Sequence, residues 1–333
     1  MSKMIAIIGD GGWGTALGLT LLNKGHRVRV WGPFPETIAK IKATGENHDY
    51  LPGVRLPAAL EWTADRLKAV EKSDVVVLAM PTKYFRTVLT SFVGLIPAHA
   101  QVLSVAKGLD GEDNRRMTEV AEGILKREAV AALSGPSFAS EVAAGAPTAV
   151  VIASRDAALA RSLQAVFNTQ RFRVYTSDDV VGVELGGTLK NVIAVGVGVC
   201  DGMGLGHNAR AALVTRGLAE ITRLGVAMGA NPVTFAGLSG MGDLVLTCTS
   251  RLSRNYSVGE RMGKGEKIAD ILSGMKQVAE GVENSAIAHS LARRLGVPAP
   301  ITGEVYDMVH QGKAPADAVE SLLGRDPRPE RDR

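Results

Sequence analysis

The chain has 333 residues, of which 46% are hydrophobic and 5% aromatic, with 38 Lys and Arg against 34 Asp and Glu. This length suggests two domains, and the apolar fraction is ample for packed cores, so a mainly disordered chain is excluded. The formal net charge is only +4 and no basic block stands out, so we expect small anions rather than nucleic acid as partners.

Up to about residue 175, short apolar runs alternate with helical patterns. The runs predict strands at residues 5–8, 27–31, 74–79, 102–105, 130–133, 149–153 and 172–175. Apolar residues three and four apart predict helices between them, for example at residues 15–23 and 157–167. This alternation predicts an α/β N-terminal domain of the Rossmann-like type, with a mostly parallel sheet and helices on both faces.

The pattern changes after about residue 178, where strand-like runs become rare. Helical periodicity then covers residues 180–199, 208–228, 285–295 and 302–310. These segments predict an all-α C-terminal domain. We therefore divide the chain into an α/β domain at 1–183, a helical domain at 184–324 and a tail at 325–333, whose Arg, Asp, Pro and Glu residues predict disorder.

Neither a membrane-spanning segment nor a disulfide scaffold is expected. The longest clean apolar run, residues 192–200, is shorter than the roughly 18 residues that a spanning helix needs. The two cysteines, Cys200 and Cys248, lie in apolar stretches and have too few companions for a metal site. We expect a cytoplasmic protein with buried thiols, no metal and no integral membrane segment.

A glycine motif stands between the first predicted strand and the first helix. Gly9, Gly11 and Gly14 in GDGGWG satisfy the pattern G-x-G-x-x-G. These glycines allow a tight turn, close approach of a pyrophosphate and close packing of helix on strand. Gly12 and Trp13 would lie along the phosphates at the helix N-terminus. The motif predicts a dinucleotide site, and a plain glycine-rich turn is the alternative.

The end of the second predicted strand should distinguish NAD from NADP. An acidic residue there binds the ribose hydroxyls of NAD, whereas an Arg favours the 2′-phosphate of NADP. The sequence at residues 31–34 is WGPF, which carries neither signature. Glu36 could reach back to the ribose, but Pro35 and Glu36 are also a typical helix start, which we favour. The cofactor is therefore NAD or NADP, with the preference open.

Two features place chemistry at the carboxyl edge of the sheet, where open α/β sheets bind ligands. Lys107 directly follows the strand at 102–105, although a lysine in a loop is often just solvated. Residues 133–137, LSGPS, join a strand to a helical pattern and suit an anion near a helix N-terminus. The alternative for Ser137 is an ordinary helix cap.

Lys190 is the most unusual residue of the helical half. Within residues 181–200 the only charged residues are Glu184 and Lys190, and a buried lysine is costly unless it is paired. Burial would lower its pKa and let it exchange a proton with a substrate oxygen, whereas snorkelling to the surface is the alternative. Asp243, the only charge in residues 237–250, is the expected partner.

Ser253, Arg254 and Asn255 follow as a cluster of donors that could hold a phosphate. At this point the motifs together resemble those of bacterial NAD(P)-dependent glycerol-3-phosphate dehydrogenases, in order from about residue 5 to 304. They are GDGGWGTA, Asn47 with YLPG at 50–53, AKG at 106–108, LSGPSFA at 133–139, GTLKNVIA at 187–194, AALVTRGLAEITRLG at 211–225, GLSGMGDLVLTC at 237–248 and SRN at 253–255.

The resemblance implies a role for each matching residue. Lys190 would exchange the proton during hydride transfer between the nicotinamide and C2 of dihydroxyacetone phosphate or sn-glycerol 3-phosphate. The remaining catalytic residues would be Lys107, Asn191, Asp243 and Thr247. The substrate contacts would be Lys107, Gly135, Ser137, Lys190, Asp243, Ser253, Arg254 and Asn255. The cofactor contacts would be Gly9, Gly11, Gly12, Trp13, Gly14, Lys107, Ala139, Arg254, Val278 and Glu280.

The family resemblance also implies a homodimer whose product feeds phospholipid synthesis. The sequence departs from the family at Pro33 and Phe34, where members often carry His or Arg, so an NADP preference is in doubt. One rival is a β-hydroxyacid dehydrogenase, because residues 134–147 loosely resemble its substrate loop. Another is a catalytically silent dinucleotide sensor, which would have no need for Lys190, Asn191 and Asp243 in apolar surroundings.

Overall fold

The computed structural model describes residues 2–275, 278–327 and 329–330. Its strands in chain order are β1 (Met4–Ile8), β2 (Arg27–Trp31), β3 (Glu46–Asn47), β4 (Leu51–Arg55), β5 (Glu61–Thr63), β6 (Val75–Leu78), β7 (Gln101–Ser104), β8 (Ala131–Ser134), β9 (Thr148–Ala153) and β10 (Phe172–Ser177).

The first group of helices alternates with these strands. They are α1 (Gly12–Asn23), α2 (Pro35–Thr44), α3 (Arg66–Val70), α4 (Thr82–Thr90), α5 (Met117–Leu125), α6 (Ala139–Ala143) and α7 (Ala157–Phe167). The second group follows β10. They are α8 (Val180–Gly202), α9 (Gly206–Ala227), α10 (Asp243–Thr249), α11 (Arg254–Gly263), α12 (Ile268–Ser273), α13 (Glu280–Leu295), α14 (Pro300–His310) and α15 (Pro315–Leu323).

The strands of the first domain form an eight-stranded sheet in the order β10-β9-β8-β7-β6-β1-β2-β5. Neighbouring strands are parallel, except that β8 and β9 pair antiparallel. The predicted mostly parallel sheet is therefore confirmed. The sequence pattern missed β5 and the separate β3–β4 hairpin, because these short strands contain polar, Gly and Pro residues and no apolar run.

Side chains of β1 alternate between two apolar layers, one on each face of the sheet. Ile5 and Ile7 pack in the same cluster as Leu17 of α1. Ile8 instead packs in a second cluster with Phe85 of α4. Helices thus cover both faces, and because both faces are buried the central strands are continuously apolar. This is why the strand prediction worked at the centre of the sheet.

The second domain is helical throughout its described residues, as predicted, and is built around α8. Among the described residues, α8 alone has the length and hydropathy of a membrane-spanning helix, but 94% of its most apolar stretch is buried inside the protein. Packing with α9, α10, α11 and α13 supplies its apolar surroundings. α8 is therefore the core helix of this domain.

The cysteines, the start of α2, the domain boundary and the tail were also the subject of predictions. Cys200 and Cys248 are free and buried, as expected. Pro35 begins α2, which confirms the helix start preferred over a ribose role for the exposed Glu36. The change from strands to helices falls between Ser177 and Val180, and the boundary at 183/184 stays a prediction. Disorder of the tail also stays a prediction, since residues 328 and 331–333 lie outside the described residues.

Candidate active site

The glycine motif forms an open turn at the carboxyl end of β1. Gly9 has a φ of +124°, and a Cβ there would lie 2.5 Å from the Ala79 carbonyl oxygen, so a side chain is excluded. A Cβ on Gly11 would meet no atom within 4 Å, which leaves this stretch of backbone accessible. α1 then begins at Gly12. Trp13 Nε1, in the first turn of α1, is buried without a hydrogen-bond partner in the described part of the chain. This cradle fits a dinucleotide pyrophosphate.

The nucleotide loop and the Lys107 loop lie side by side along the same sheet edge. β1, β6 and β7 are parallel neighbours, so their carboxyl ends meet there. Gly9 lies against Ala79, which follows β6, and Gly108 lies so close to Thr82 that a Cβ would overlap the threonine side chain. The segment at residues 79–82 therefore contacts the glycine motif at one end and the Lys107 loop at the other.

Lys190 lies in the middle of α8 and is 5% exposed. Its Nζ donates to Asp243 Oδ1 at 2.6 Å and to Thr247 Oγ1 at 2.7 Å. Thr247 Oγ1 donates in turn to the Asp243 carbonyl oxygen at 2.6 Å. The ammonium is thus fixed by groups one helical turn apart on α10, and the snorkelling alternative is wrong.

Burial lowers the pKa of Lys190 to about 8, although the charge of Asp243 raises it and that of Lys107 lowers it further. An amine with this pKa carries a proton at neutral pH and can still release it, which is what a general acid–base group requires. Burial also raises the pKa of the neighbouring Cys248 thiol to about 12, so it stays protonated. Of these two buried groups, only Lys190 has a pKa near neutrality.

Asp243 joins Lys190 to Lys107. Lys107 Nζ donates to Asp243 Oδ2 at 2.7 Å and to the Gly135 carbonyl oxygen at 3.0 Å. The Asp243 side chain is 1% exposed and that of Lys107 16%, so the carboxylate is buried between two cations. Lys107 is therefore not a simply solvated surface lysine. Because burying a single carboxylate is costly, both ion pairs help to hold it.

The backbone around this cluster is unusually close-packed. A Cβ on Gly187 would overlap Ser134 Oγ, so α8 lies close against the end of β8 at this glycine. The chain enters α10 through a single π-helical turn, Leu238–Gly242, immediately before Asp243. Such turns recur at functional sites because they re-aim the residue that follows. Here the turn brings Asp243 within reach of both lysines.

The loop after β8 differs in detail from the sequence prediction. Gly135 has a φ of +136°, a conformation that L side chains rarely adopt. Ser137 Oγ donates to the Gly135 carbonyl oxygen at 3.0 Å, and the N-cap of α6 is Phe138. The alternative in which Ser137 caps the helix is therefore wrong, because its hydroxyl closes the turn instead. Gly135 O receives hydrogen bonds from both Ser137 and Lys107.

The predicted phosphate cluster lies at the start of α11. Ser253 is the N-cap and its Oγ accepts from the Tyr256 N–H at 3.2 Å. Asn255 is buried, and its Oδ1 accepts from the Gly281 N–H at 2.9 Å. Gly281 in turn packs against the carbonyl of the buried Asn191. Arg254 between them is exposed, so it presents its guanidinium to solvent at this helix N-terminus.

Ala139 lies beside the phosphate cradle, and Val278 and Glu280 lie at the start of α13. Ala139 Cβ is 3.7 Å from the Cβ position of Gly12, which places α6 beside the phosphate cradle. Glu280 begins α13, and burial raises the pKa of its carboxyl, an effect that Arg254 opposes most strongly. Glu280 is partly exposed. Val278, just before it, is also partly exposed.

Sequence reasoning did not identify Asn284, and it named Asn47 only as part of the family resemblance, without a role. Asn284 of α13 is 2% exposed, and its Nδ2 donates to the Lys107 carbonyl oxygen at 3.4 Å. Asn47 Nδ2 donates to the Asp10 carbonyl oxygen at 2.7 Å and to Thr15 Oγ1 at 2.9 Å, which fixes the glycine motif against the β3–β4 hairpin. Polar residues within otherwise apolar helical patterns were the available signal for Asn284.

The fold and the site define a two-domain oxidoreductase that uses a nicotinamide dinucleotide. Two family models match the chain, the NAD-dependent glycerol-3-phosphate dehydrogenase N-terminus at residues 4–160 and C-terminus at residues 179–320. The chain belongs to the NAD-dependent glycerol-3-phosphate dehydrogenase family.

Individual relatives agree over nearly the full length. Glycerol-3-phosphate dehydrogenase [NAD(P)+] of Geobacter sulfurreducens is 49% identical over 334 residues, which covers 99% of this chain and 100% of the relative. The Bacillus pumilus enzyme of the same name is 47% identical over 326 residues, with 97% and 94% covered. The crystal structure of glycerol-3-phosphate dehydrogenase from Coxiella burnetii superposes with a TM-score of 0.94 at 40% identity, covering 97% of this chain and 99% of that one.

Proposed function

We propose that this protein interconverts dihydroxyacetone phosphate and sn-glycerol 3-phosphate, with NAD(H) or NADP(H) as the hydride carrier. The observation that carries the proposal is the buried Lys190 ammonium, with a pKa of about 8, held by Asp243 and Thr247 beside the carboxyl edge of the sheet. A ketone that accepts a hydride at carbon needs a proton at oxygen, and an amine with this pKa supplies it near neutral pH.

The nicotinamide supplies or accepts the hydride when the cofactor is bound. In the reductive direction Lys190 donates a proton to the C2 oxygen as negative charge develops there. Lys107 adds a second positive charge that stabilises the same oxygen, since it shares the Asp243 carboxylate. In the oxidative direction neutral Lys190 takes the hydroxyl proton. Asp243 keeps both amines in place in either direction.

The substrate phosphate would be held away from the reacting carbon by Ser253, Arg254 and Asn255. The N-terminus of α11 offers a favourable field for an anion, and the exposed guanidinium of Arg254 can form paired hydrogen bonds with phosphate oxygens. Binding energy from this remote group would orient C2 for reaction. Asn191, next to Lys190 on α8, and the turn at Gly135 and Ser137 would complete the substrate contacts.

The proposal extends to the setting of the enzyme. By its family resemblance we propose a cytoplasmic homodimer whose glycerol 3-phosphate enters phospholipid synthesis.

Initial rates with the purified protein test the proposed reaction. NADH oxidation followed by absorbance should depend on dihydroxyacetone phosphate, and the reverse reaction should oxidise sn-glycerol 3-phosphate. A β-hydroxyacid dehydrogenase would instead oxidise 3-hydroxyisobutyrate, and a silent sensor would bind the nucleotide without turnover with either substrate. Oxidation of 3-hydroxyisobutyrate but not of sn-glycerol 3-phosphate would contradict the proposal. Nucleotide binding without any turnover would contradict it as well. Lys190→Met serves as the matched inactive variant.

A further inference from the structure

Asp10, inside the glycine motif, is a buried acid that the reaction does not use. It follows Gly9 at the carboxyl end of β1 and is 9% exposed. Its Oδ2 is buried and has no hydrogen-bond partner among the residues that the structure describes. Burial raises the pKa of this carboxyl, and only its own backbone N–H counters the effect. A buried polar atom without a partner calls for an explanation, and an absent ligand is one.

The Asp10 carboxylate lies over the end of the neighbouring strand. The Gly9 N–H donates to the Trp31 carbonyl oxygen at 2.9 Å, which brings the ends of β1 and β2 together. A Cβ on Gly32, the first residue after β2, would be 2.6 Å from Asp10 Cγ and would overlap Oδ2. The carboxylate therefore takes the place that a side chain at the end of β2 would otherwise fill.

That place is where dinucleotide-binding sheets recognise the adenosine ribose. An acid at the end of the second strand binds the 2′-hydroxyl of NAD, whereas an Arg there accepts the 2′-phosphate of NADP. This chain has Gly32 at the position and no cation in residues 32–34. The carboxylate nearest to the Cβ position of Gly32 is that of Asp10, which follows the neighbouring strand β1.

We propose that Asp10 reads the adenosine ribose in place of an acid on β2, accepting a hydrogen bond from the 2′-hydroxyl and repelling a 2′-phosphate. The enzyme then prefers NAD(H) to NADP(H). This inference rests on dinucleotide binding at the glycine motif, and it names a cofactor preference that the family assignment leaves open. This role of Asp10 also accounts for a glycine at position 32, because a Cβ there would displace the Asp10 carboxylate.

Calorimetric titration of the protein without cofactor tests this directly. 5′-AMP and adenosine 2′,5′-bisphosphate report the adenosine site without any turnover. The unmodified protein should bind 5′-AMP at least about tenfold more tightly, since a second anion close to a buried carboxylate is strongly repelled. Asp10→Asn keeps the shape of the side chain and removes its charge. It should reduce the affinity ratio between 5′-AMP and the bisphosphate by about tenfold, because the bisphosphate binds more tightly. Glu36→Gln, an exposed acid just beyond β2, is the matched control and should change nothing.

The ratio of kcat/KM with NADH to kcat/KM with NADPH should change in the same way. It should be equally high in the unmodified protein and in Glu36→Gln, and lower in Asp10→Asn. Preference of the unmodified protein for the bisphosphate, an unchanged ratio in folded Asp10→Asn, or a collapse of the ratio in Glu36→Gln would each overturn the role of Asp10. Asp10→Ala provides a second test should Asp10→Asn not fold. Failure to bind either adenine nucleotide would instead remove the dinucleotide site itself, while turnover without discrimination would refute only this inference.

Discussion

Replacing Asp243 by Asn should shift the pH dependence of reduction to lower pH. In the proposed mechanism the Lys190 ammonium is the proton donor, so the reductive kcat of the unmodified protein should be fully present below a pH of about 8 and lost above it. Asp243 favours the charged form of Lys190 from 2.6 Å. Asn keeps the size of the side chain but removes the negative charge, so the pKa of Lys190 falls. The pH at which the reductive kcat declines, here called the basic limb of the profile, falls with it.

The size of the effect follows from the geometry. Two unit charges 2.6 Å apart interact by about 6 kcal/mol at an effective dielectric constant of about 20. If relaxation leaves about a third of this, about 2 kcal/mol, the ratio of ammonium to amine falls more than tenfold at any given pH. Burial of Lys190 and repulsion by Lys107 remain in the variant, and both keep the pKa of Lys190 low.

Initial rates of NADH oxidation at saturating dihydroxyacetone phosphate, measured on both sides of pH 8, give the midpoint of the limb. Asp243→Asn should be about fourfold slower at pH 7 and more than tenfold slower at pH 8 and above, and it should recover its rate in acid. The exposed Asp270→Asn variant is the charge control and should keep the original midpoint. An Asp243→Asn profile with an unshifted midpoint would refute the assignment of the limb to Lys190.

Three further predictions test the substrate site, the domain contact and the assembly. Arg254→Ala should raise the KM for dihydroxyacetone phosphate by about ten- to a hundredfold with little change in kcat, since it removes a charged hydrogen bond remote from the chemistry, and an unchanged KM would exclude a phosphate role. Glu184→Ala should lower the free energy of unfolding by about 3 kcal/mol in urea titration, because it strips the buried Arg116 of a partner at 2.8 Å, and a loss below about 1 kcal/mol would contradict this. Light scattering should give twice the 35.0 kDa chain mass, and a monomer would contradict the homodimer.

The sequence predicted most of the architecture because the fold depends on buried apolar runs. β1 and β6 are covered on both faces, so their apolar character is continuous and visible without any structure. The antiparallel β9 was not predictable as such, since a buried strand reads the same in either direction. β3–β5 were missed because they are short and not apolar.

The site was predictable where a single residue was out of place in its surroundings. Lys190 and Asp243 are charges within apolar stretches, and the structure pairs them as expected. The second ion pair of Asp243, with Lys107, joins residues far apart in the chain and needed the packing of α8 on β8. The position of Asp10 depends on the register of β1 against β2, which no local pattern encodes.

The most direct measurement of the central claim is the reductive kcat of Lys190→Met at neutral pH with saturating NADH. Methionine fills the same buried space but has no proton to give, so the rate should fall by about 10² to 10⁴ while the affinity for NADH, measured by titration, stays the same. A variant that reduces dihydroxyacetone phosphate within about threefold of the original rate would show that the proton comes from another group.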